Sequence, residues 1–198
     1  MSYMEKIKSH YKTKENYQEI VNKLKEIITE ETIVINIGAN LCIADLVGAM
    51  VGTILEENNF PLKVFGTIDN PMNAKNLEER YKEIKELYPN SPILCIDACL
   101  GHKNEIGGIH LRNIPVKPGR GVGKNLVHIG EWSLIGITDD SESDETFFSN
   151  RIVRMDLVYG ISKTIAEMLF EATKDLHRKR KKKFSIRLFN NKLIKLIS

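Results

Sequence analysis

No uncharged apolar run in this sequence approaches the roughly 20 residues that a helix needs to cross a bilayer. Nor is there an apolar core near the amino terminus of the kind a secretory leader carries, because Glu5, Lys6 and Lys8 follow Met1 closely; a cytoplasmic protein is expected. Cysteine is scarce. Cys42, Cys95 and Cys99 are too few for a closed disulfide framework and fit a reducing compartment. Cys95 and Cys99 lie in an apolar run and are expected to be small core residues rather than zinc ligands. His102, His110 and His128 fall in a loop-rich middle at spacings that match no metal signature, so no metal and no cofactor are expected. His128 is the outside candidate for a third ligand. The run Lys117-Pro-Gly-Arg-Gly-Val-Gly-Lys124 looks like a phosphate loop, but Gly119 and Gly123 are one residue too close for the Walker spacing. With no Ser or Thr after Lys124 and no helical pattern following it, nucleotide binding is rejected.

What the sequence does contain is the balance of an ordinary globular protein, 42% hydrophobic and 28% charged over 198 residues. That length suits a single α/β domain, residues 1–173, with an appended basic tail, residues 174–198. The net charge of +3 conceals an asymmetry: the tail holds ten Lys/Arg and one Asp, a net of +9, which leaves the first 173 residues at −6. Contact of residues 177–198 with an anionic membrane surface or a protein partner stands beside the plainer reading of a solvated end. No aromatic interleaving argues for specific nucleic acid.

The chain order is that of successive βα units. Apolar residues from Tyr17 to Ile28 recur at three- and four-residue spacing and predict a helix over about 14–30. Strands are expected over Thr32–Ile37, Leu62–Thr67, Pro92–Ile96 and Trp132–Thr138, with a further strand or half-hairpin within Ile106–Ile114. Helices are expected over about 43–57, 72–88 and 146–173; Gly48 and Gly52 would let the first of these approach the sheet closely. Pro71 suits a first helical turn and Asn70 could cap it. Alternation of this kind implies a three-layer αβα arrangement around a mostly parallel sheet.

The chemistry centres on two carboxylates. Asp97 follows the short apolar block Ile93–Ile96, which reads as a buried central strand, so it would stand at the strand's carboxyl end, where ligands bind in open α/β sheets. Asp45 follows the run Ile33–Ile37 after a short loop through Asn40. If the two strands are neighbours, the carboxylates converge on one crevice and can perform acid/base work or hold a metal. Each Asp also has a plainer reading, Asp45 at the positive end of a helix dipole and Asp97 as a turn cap. Asn40, Gly121 and Lys124 are expected to line the crevice. Asp69 and Asn70, whose simpler reading is turn chemistry, are kept as substrate-binding candidates.

Four motifs then carry a resemblance. Asn36-Ile-Gly-Ala-Asn-Leu-Cys-Ile-Ala-Asp45, Phe65-Gly-Thr-Ile-Asp-Asn-Pro-Met-Asn-Ala-Lys-Asn-Leu77, Ile96-Asp-Ala-Cys-Leu-Gly101 and Lys117–Lys124 occur in an order that resembles the YyaC family of sporulation proteins, over about residues 30–173. That family is similar to the germination protease of bacterial spores and, more distantly, to the endopeptidases that mature nickel-iron hydrogenases. The resemblance implies a phosphorylase/hydrolase-like αβα fold, a peptidase acting on a spore protein, and an aspartate pair at Asp45 and Asp97. In the hydrogenase endopeptidases the corresponding acids, with a histidine, help bind the substrate's nickel; no histidine here matches by motif. The chain departs from the family pattern at Asn40-Leu41, where Asp-Arg is usual, and at Ala44 and Ala49, where Gly and Pro are usual. The resemblance thus implies either a germination-protease-type peptidase or a catalytically inactive spore protein that keeps the fold and docks through its tail. The sequence leaves the oligomeric state open.

Overall fold

A computed structural model describes residues 5–118, 127–141, 152–176 and 178. Among them six strands form one sheet: β1 (Lys6–His10), β2 (Ile33–Asn36), β3 (Lys63–Phe65), β4 (Ile93–Gly101), β5 (Gly108–Arg112) and β6 (Trp132–Asp140). Their order is β1-β5-β6-β4-β2-β3, parallel from β6 to β3 and antiparallel at the β6-β5 and β5-β1 pairs. Helices α1 (Tyr17–Ile27), α2 (Val47–Glu57), α3 (Leu77–Leu87) and α4 (Met155–Ala172) flank it. The fold is a three-layer αβα arrangement, as the βα alternation led one to expect.

The strands alternate between two cores because successive side chains leave a strand on opposite faces. Val34, Leu94, Ile96, Leu111 and Leu134 pack with residues of α1, α2 and α4. Ile33, Ile35, Ile93, Cys95 and Ile135 pack on the other face with Leu77 and Ile84 of α3 and with Val116 and Ile129, which form a small bridge. Leu134 and Ile135 are both essentially inaccessible, so truncating either to alanine should cost about 2–5 kcal/mol.

Tertiary contacts moved several expected boundaries. α1 stops at Ile27, where Thr29 donates its amide to Thr32 Oγ1 at 2.9 Å and turns the chain. α3 begins only at Leu77, because Met72 is drawn into the sheet as a bridge partner of Ile37 and its carbonyl accepts from the Gly38 amide at 2.9 Å. Asn70 therefore caps no helix. In α4 the helix begins at Met155; Ile152 is fully exposed ahead of it, and residues 142–151 lie outside the described residues. β1 was not expected at all. Its pattern Lys6-Ile7-Lys8-Ser9-His10 buries Ile7 and Ser9 and turns its two lysines outward, a charged edge of the kind that discourages sheet-to-sheet association.

α2 sits tightly on the sheet for the reason its glycines suggested. A Cβ on Gly48 would overlap the Ile37 carbonyl, and one on Gly52 the Gly66 carbonyl. Among the described residues no helix is long and apolar enough to cross a membrane.

Candidate active site

β2 and β4 are neighbours, and their outgoing connections diverge. From β2 the chain runs through α2 to β3 on one side; the next parallel strand after β4 is β6 on the other side. A crevice opens at such a reversal because the crossovers leave in opposite directions. Asp45 and Asp97 come from its two sides.

The position of Asp97 differs from the simple strand-end expected. β4 continues to Gly101, paired with β6 and irregular between Cys99 and Leu100. β2 pairs with β4 only as far as Asn36 opposite Ile96, with a last bond from the Ile37 amide to the Ile96 carbonyl at 2.8 Å. Asp97 is thus the first residue of β4 beyond its pairing with β2.

Asp45 ends a single 3-10 turn, Ile43–Asp45, between β2 and α2. Its backbone is held from both sides: its amide donates to the Cys42 carbonyl at 3.1 Å and its carbonyl accepts from Ala39 at 3.2 Å. Thr138 of β6 donates its hydroxyl to the neighbouring Ala44 carbonyl at 3.0 Å, a fully buried bond that ties this loop to the far side of β4. The loop also reaches the turn after β3, where Asn40 Nδ2 donates to the Ile68 carbonyl at 3.1 Å.

Both aspartates are half-buried as residues, and enclosure of the carboxyls by protein dominates their chemistry. Burial pushes Asp45 up to about 6, against a smaller opposing pull from the Ala39 amide. Asp97 is raised well above the ordinary carboxyl range, first by burial and then by the charge of Asp45. The Ala98 amide, donating to Asp97 Oδ1 at 2.8 Å, and the charge of Arg112 only partly offset this. The two groups therefore sense each other. Both carboxyls are thereby pushed towards their protonated forms, because two adjacent enclosed negative charges are poorly solvated.

The remaining candidates fall in different places. Asn40 is exposed at the rim of this loop, and Asp69 and Asn70 are exposed in the turn after β3. That turn is organised by its backbone: the Asn70 amide donates to Thr67 Oγ1 at 3.1 Å, and the Asn70 carbonyl accepts from Arg80. Gly121 and Lys124 lie outside the described residues. His128 is exposed beside the Val116–Ile129 bridge. Among the described residues no three His, Cys, Asp or Glu side chains gather as a metal-holding group. Cys95 is buried and its thiol is raised, so it behaves as the expected core residue. Leu41 is 92% exposed at the rim, a large apolar side chain offered to solvent beside Asn40. Two residues escaped sequence reasoning, Arg112 of β5 and Lys6 of β1. Only their strand pairing brings them to the face that holds Asp97, and no local pattern marks them.

Comparison with known proteins gives two matches. The protein YyaC of Bacillus subtilis (strain 168), whose printed description is "Uncharacterized protein YyaC", is 30% identical over 149 residues, covering 75% of this chain and 72% of that one. A family model described as "Protein of unknown function (DUF1256)" matches residues 8–168, a span that includes both aspartates, β2 through β6 and most of α4. With both matches spanning most of the chain, this protein belongs to the DUF1256 family.

Proposed function

We propose that this protein is a sporulation-associated peptidase of the germination-protease type, in which Asp45 and Asp97 activate water against a peptide bond. The observation that carries the reading is the convergence of two enclosed carboxyls, one from the turn after β2 and one from β4, close enough for the charge of Asp45 to act on Asp97. Enclosure sets their roles apart. Asp45, the more readily ionised, takes a proton from water as the hydroxide oxygen bonds to the scissile carbonyl carbon. Asp97, the stronger proton holder, gives its proton to the carbonyl oxygen. When the tetrahedral intermediate collapses, the C–N bond breaks, the amine leaves with the proton held on Asp45, and the new carboxyl returns a proton to Asp97. Water is consumed, and both aspartates return to their starting states. Asn40 and the turn bearing Asp69 and Asn70 border the strand ends where an extended peptide would lie, with Gly121 and Lys124 as further lining residues. The substrate class is a protein of the spore, and the expected compartment is the cytoplasm of the sporulating cell or spore.

A second reading has its own support. Leu41 and Asn40 stand where the related pattern carries a charged pair, and Leu41 is almost fully exposed, as suits a protein contact. On this reading the fold serves binding or assembly in the spore, docked to an anionic surface through residues 177–198.

Terminal-labelling mass spectrometry of lysate from sporulating cells distinguishes the two. Incubation with the wild-type chain should yield new peptide termini that are absent with Asp97→Asn or buffer. Identical termini in all three, with both proteins folded by circular dichroism, would refute the peptidase and leave the binding protein.

A further inference from the structure

The face of the sheet that holds Asp97 carries ionisable side chains in register. One row across β1, β5, β6 and β4 reads Lys8, His110, Ile135, Asp97, and the adjacent row reads Lys6, Arg112, Ser133, Cys95. In the first row Lys8 is paired with Glu105, which also lies 3.9 Å from the His110 ring.

The second row is not compensated. Lys6 and Arg112 stand directly opposite each other in the antiparallel β1-β5 pair, a placement that repels when both carry the same sign. Neither has an ion-pair partner among the described residues. Lys6 is lowered by burial and then by the charge of Lys8; Glu105 opposes this in part and Arg112 adds to it, so on balance its cationic form is disfavoured where it stands. Arg112 Nε and Ser133 Oγ, on residues directly opposite across β5 and β6, are both buried without a hydrogen-bond partner. The charge of Arg112 acts on Asp97, but among the described residues no ion pair joins the two, and Asp97 Oδ1 accepts from Ala98. Glu105 is held down near 2 and His110 near 4, so at neutral pH the former is an anion and the latter is uncharged. Lys6 and Arg112 thus share this face with Lys8, whose charge Glu105 already meets.

We propose that Lys6 and Arg112 form a subsite for a carboxylate of the substrate peptide, either an acidic side chain or a free C-terminus, alongside the Asp45/Asp97 pair. A planar guanidinium presents paired donors that match the two oxygens of a carboxylate, and an adjacent ammonium adds a second charge. Arg112 lies two strands across from Cys95 and so about 12 Å from Asp97 between Cα positions, roughly three residues of extended peptide. The subsite thereby selects substrates with a carboxylate a few residues from the bond attacked. That the ligand is a substrate rests on the peptidase reading; the binding of a carboxylate does not.

The test follows the Arg112 Nε–Hε nuclear magnetic resonance signal in the isotope-labelled full chain. The probes are N-acetylglutamate α-amide, N-acetylalanine and the neutral N-acetylglutamine α-amide. A saturable shift is expected with at least one carboxylate and not with the neutral probe. A response to the first alone identifies an acidic side chain, and to the second alone a C-terminus. Backbone amides of Gly136 and Ala98 report the same titration in variants. Lys6→Gln, on the exposed edge strand, should weaken binding about tenfold, and Arg112→Gln should abolish it. No saturable shift, or an unchanged titration in both variants, would overturn the subsite. On a substrate found by terminal labelling, Arg112→Gln should raise KM about tenfold with kcat nearly unchanged. Carboxylate binding without any cleavage by the wild-type chain would refute the peptidase and leave the subsite standing. Cleavage with an unchanged KM and no carboxylate binding would do the reverse.

Discussion

Replacing Asp45 by asparagine should alter how stability depends on pH, and the sign follows from where its proton sits. In the fold Asp45 ionises near 6, against an ordinary value of 3.8, so between those values the native state binds more protons than the unfolded chain. Its contribution is fully present below pH 3.8 and is lost as the pH rises through 6. At 1.36 kcal/mol per pH unit, that loss is about 3 kcal/mol. His110 acts in the opposite direction over nearly the same window. Burial and then the charge of Lys6 hold it near 4 rather than 6.5; Glu105 opposes them, and Lys8 and Arg112 add smaller effects in the same direction as Lys6. Its contribution is present above pH 6.5 and lost as the pH falls through 4, also by about 3 kcal/mol. The two slopes oppose each other in the wild-type curve, so the informative quantity is a difference between proteins. Urea unfolding of wild type and Asp45→Asn, followed by circular dichroism at intervals from pH 4 to 8, measures it. The variant should be the more stable protein at pH 8, with a gap that narrows by about 3 kcal/mol towards pH 4. Relief of Asp97 from its neighbour's charge should add to this gap. A difference constant to within about 0.5 kcal/mol across the range would show that Asp45 is not held in its neutral form by enclosure, and the proton assignments above would fall with it.

Other expectations follow from the same geometry. Asp97→Asn should abolish production of new termini while its unfolding transition at neutral pH is no less cooperative than that of wild type; retained cleavage would remove Asp97 from the chemistry. Gly48→Ala should destabilise by more than about 2 kcal/mol, since the added methyl meets the Ile37 carbonyl, and an unchanged melting temperature would contradict the close packing of α2 on β2. Deleting residues 177–198 should eliminate flotation of the protein with vesicles rich in phosphatidylserine; equal flotation of the shortened chain would exclude the tail as the anionic contact.

Much of the fold was legible because its signals are local. The apolar runs ending at Ile37 and Ile96, the helical spacing from Tyr17 to Ile28, and the small residues Gly48 and Gly52 each announce an element through neighbours a few positions away. Asp45 and Asp97 were singled out for a related reason, since each follows an apolar run, Asp97 at once and Asp45 after a short loop. The less legible features depend on distant partners. Asn70 and Pro71 looked like a helix start, yet Met72 belongs to the sheet because Ile37 and the Gly38 amide bind it there. β1 carries only two inward residues and gains its identity from pairing with β5.

By itself, then, the sequence determined the alternation of strands and helices, the parallel core and the identities of two acids placed to meet. Tertiary structure decided how far β2 accompanies β4, and hence that Asp97 is paired with β6 but not with β2. It also decided that Arg112 and Lys6, more than 100 positions apart, share a face with that acid. The physical reason is that a side chain's face depends on strand register, which has a period of two and is set by pairing between segments remote in sequence.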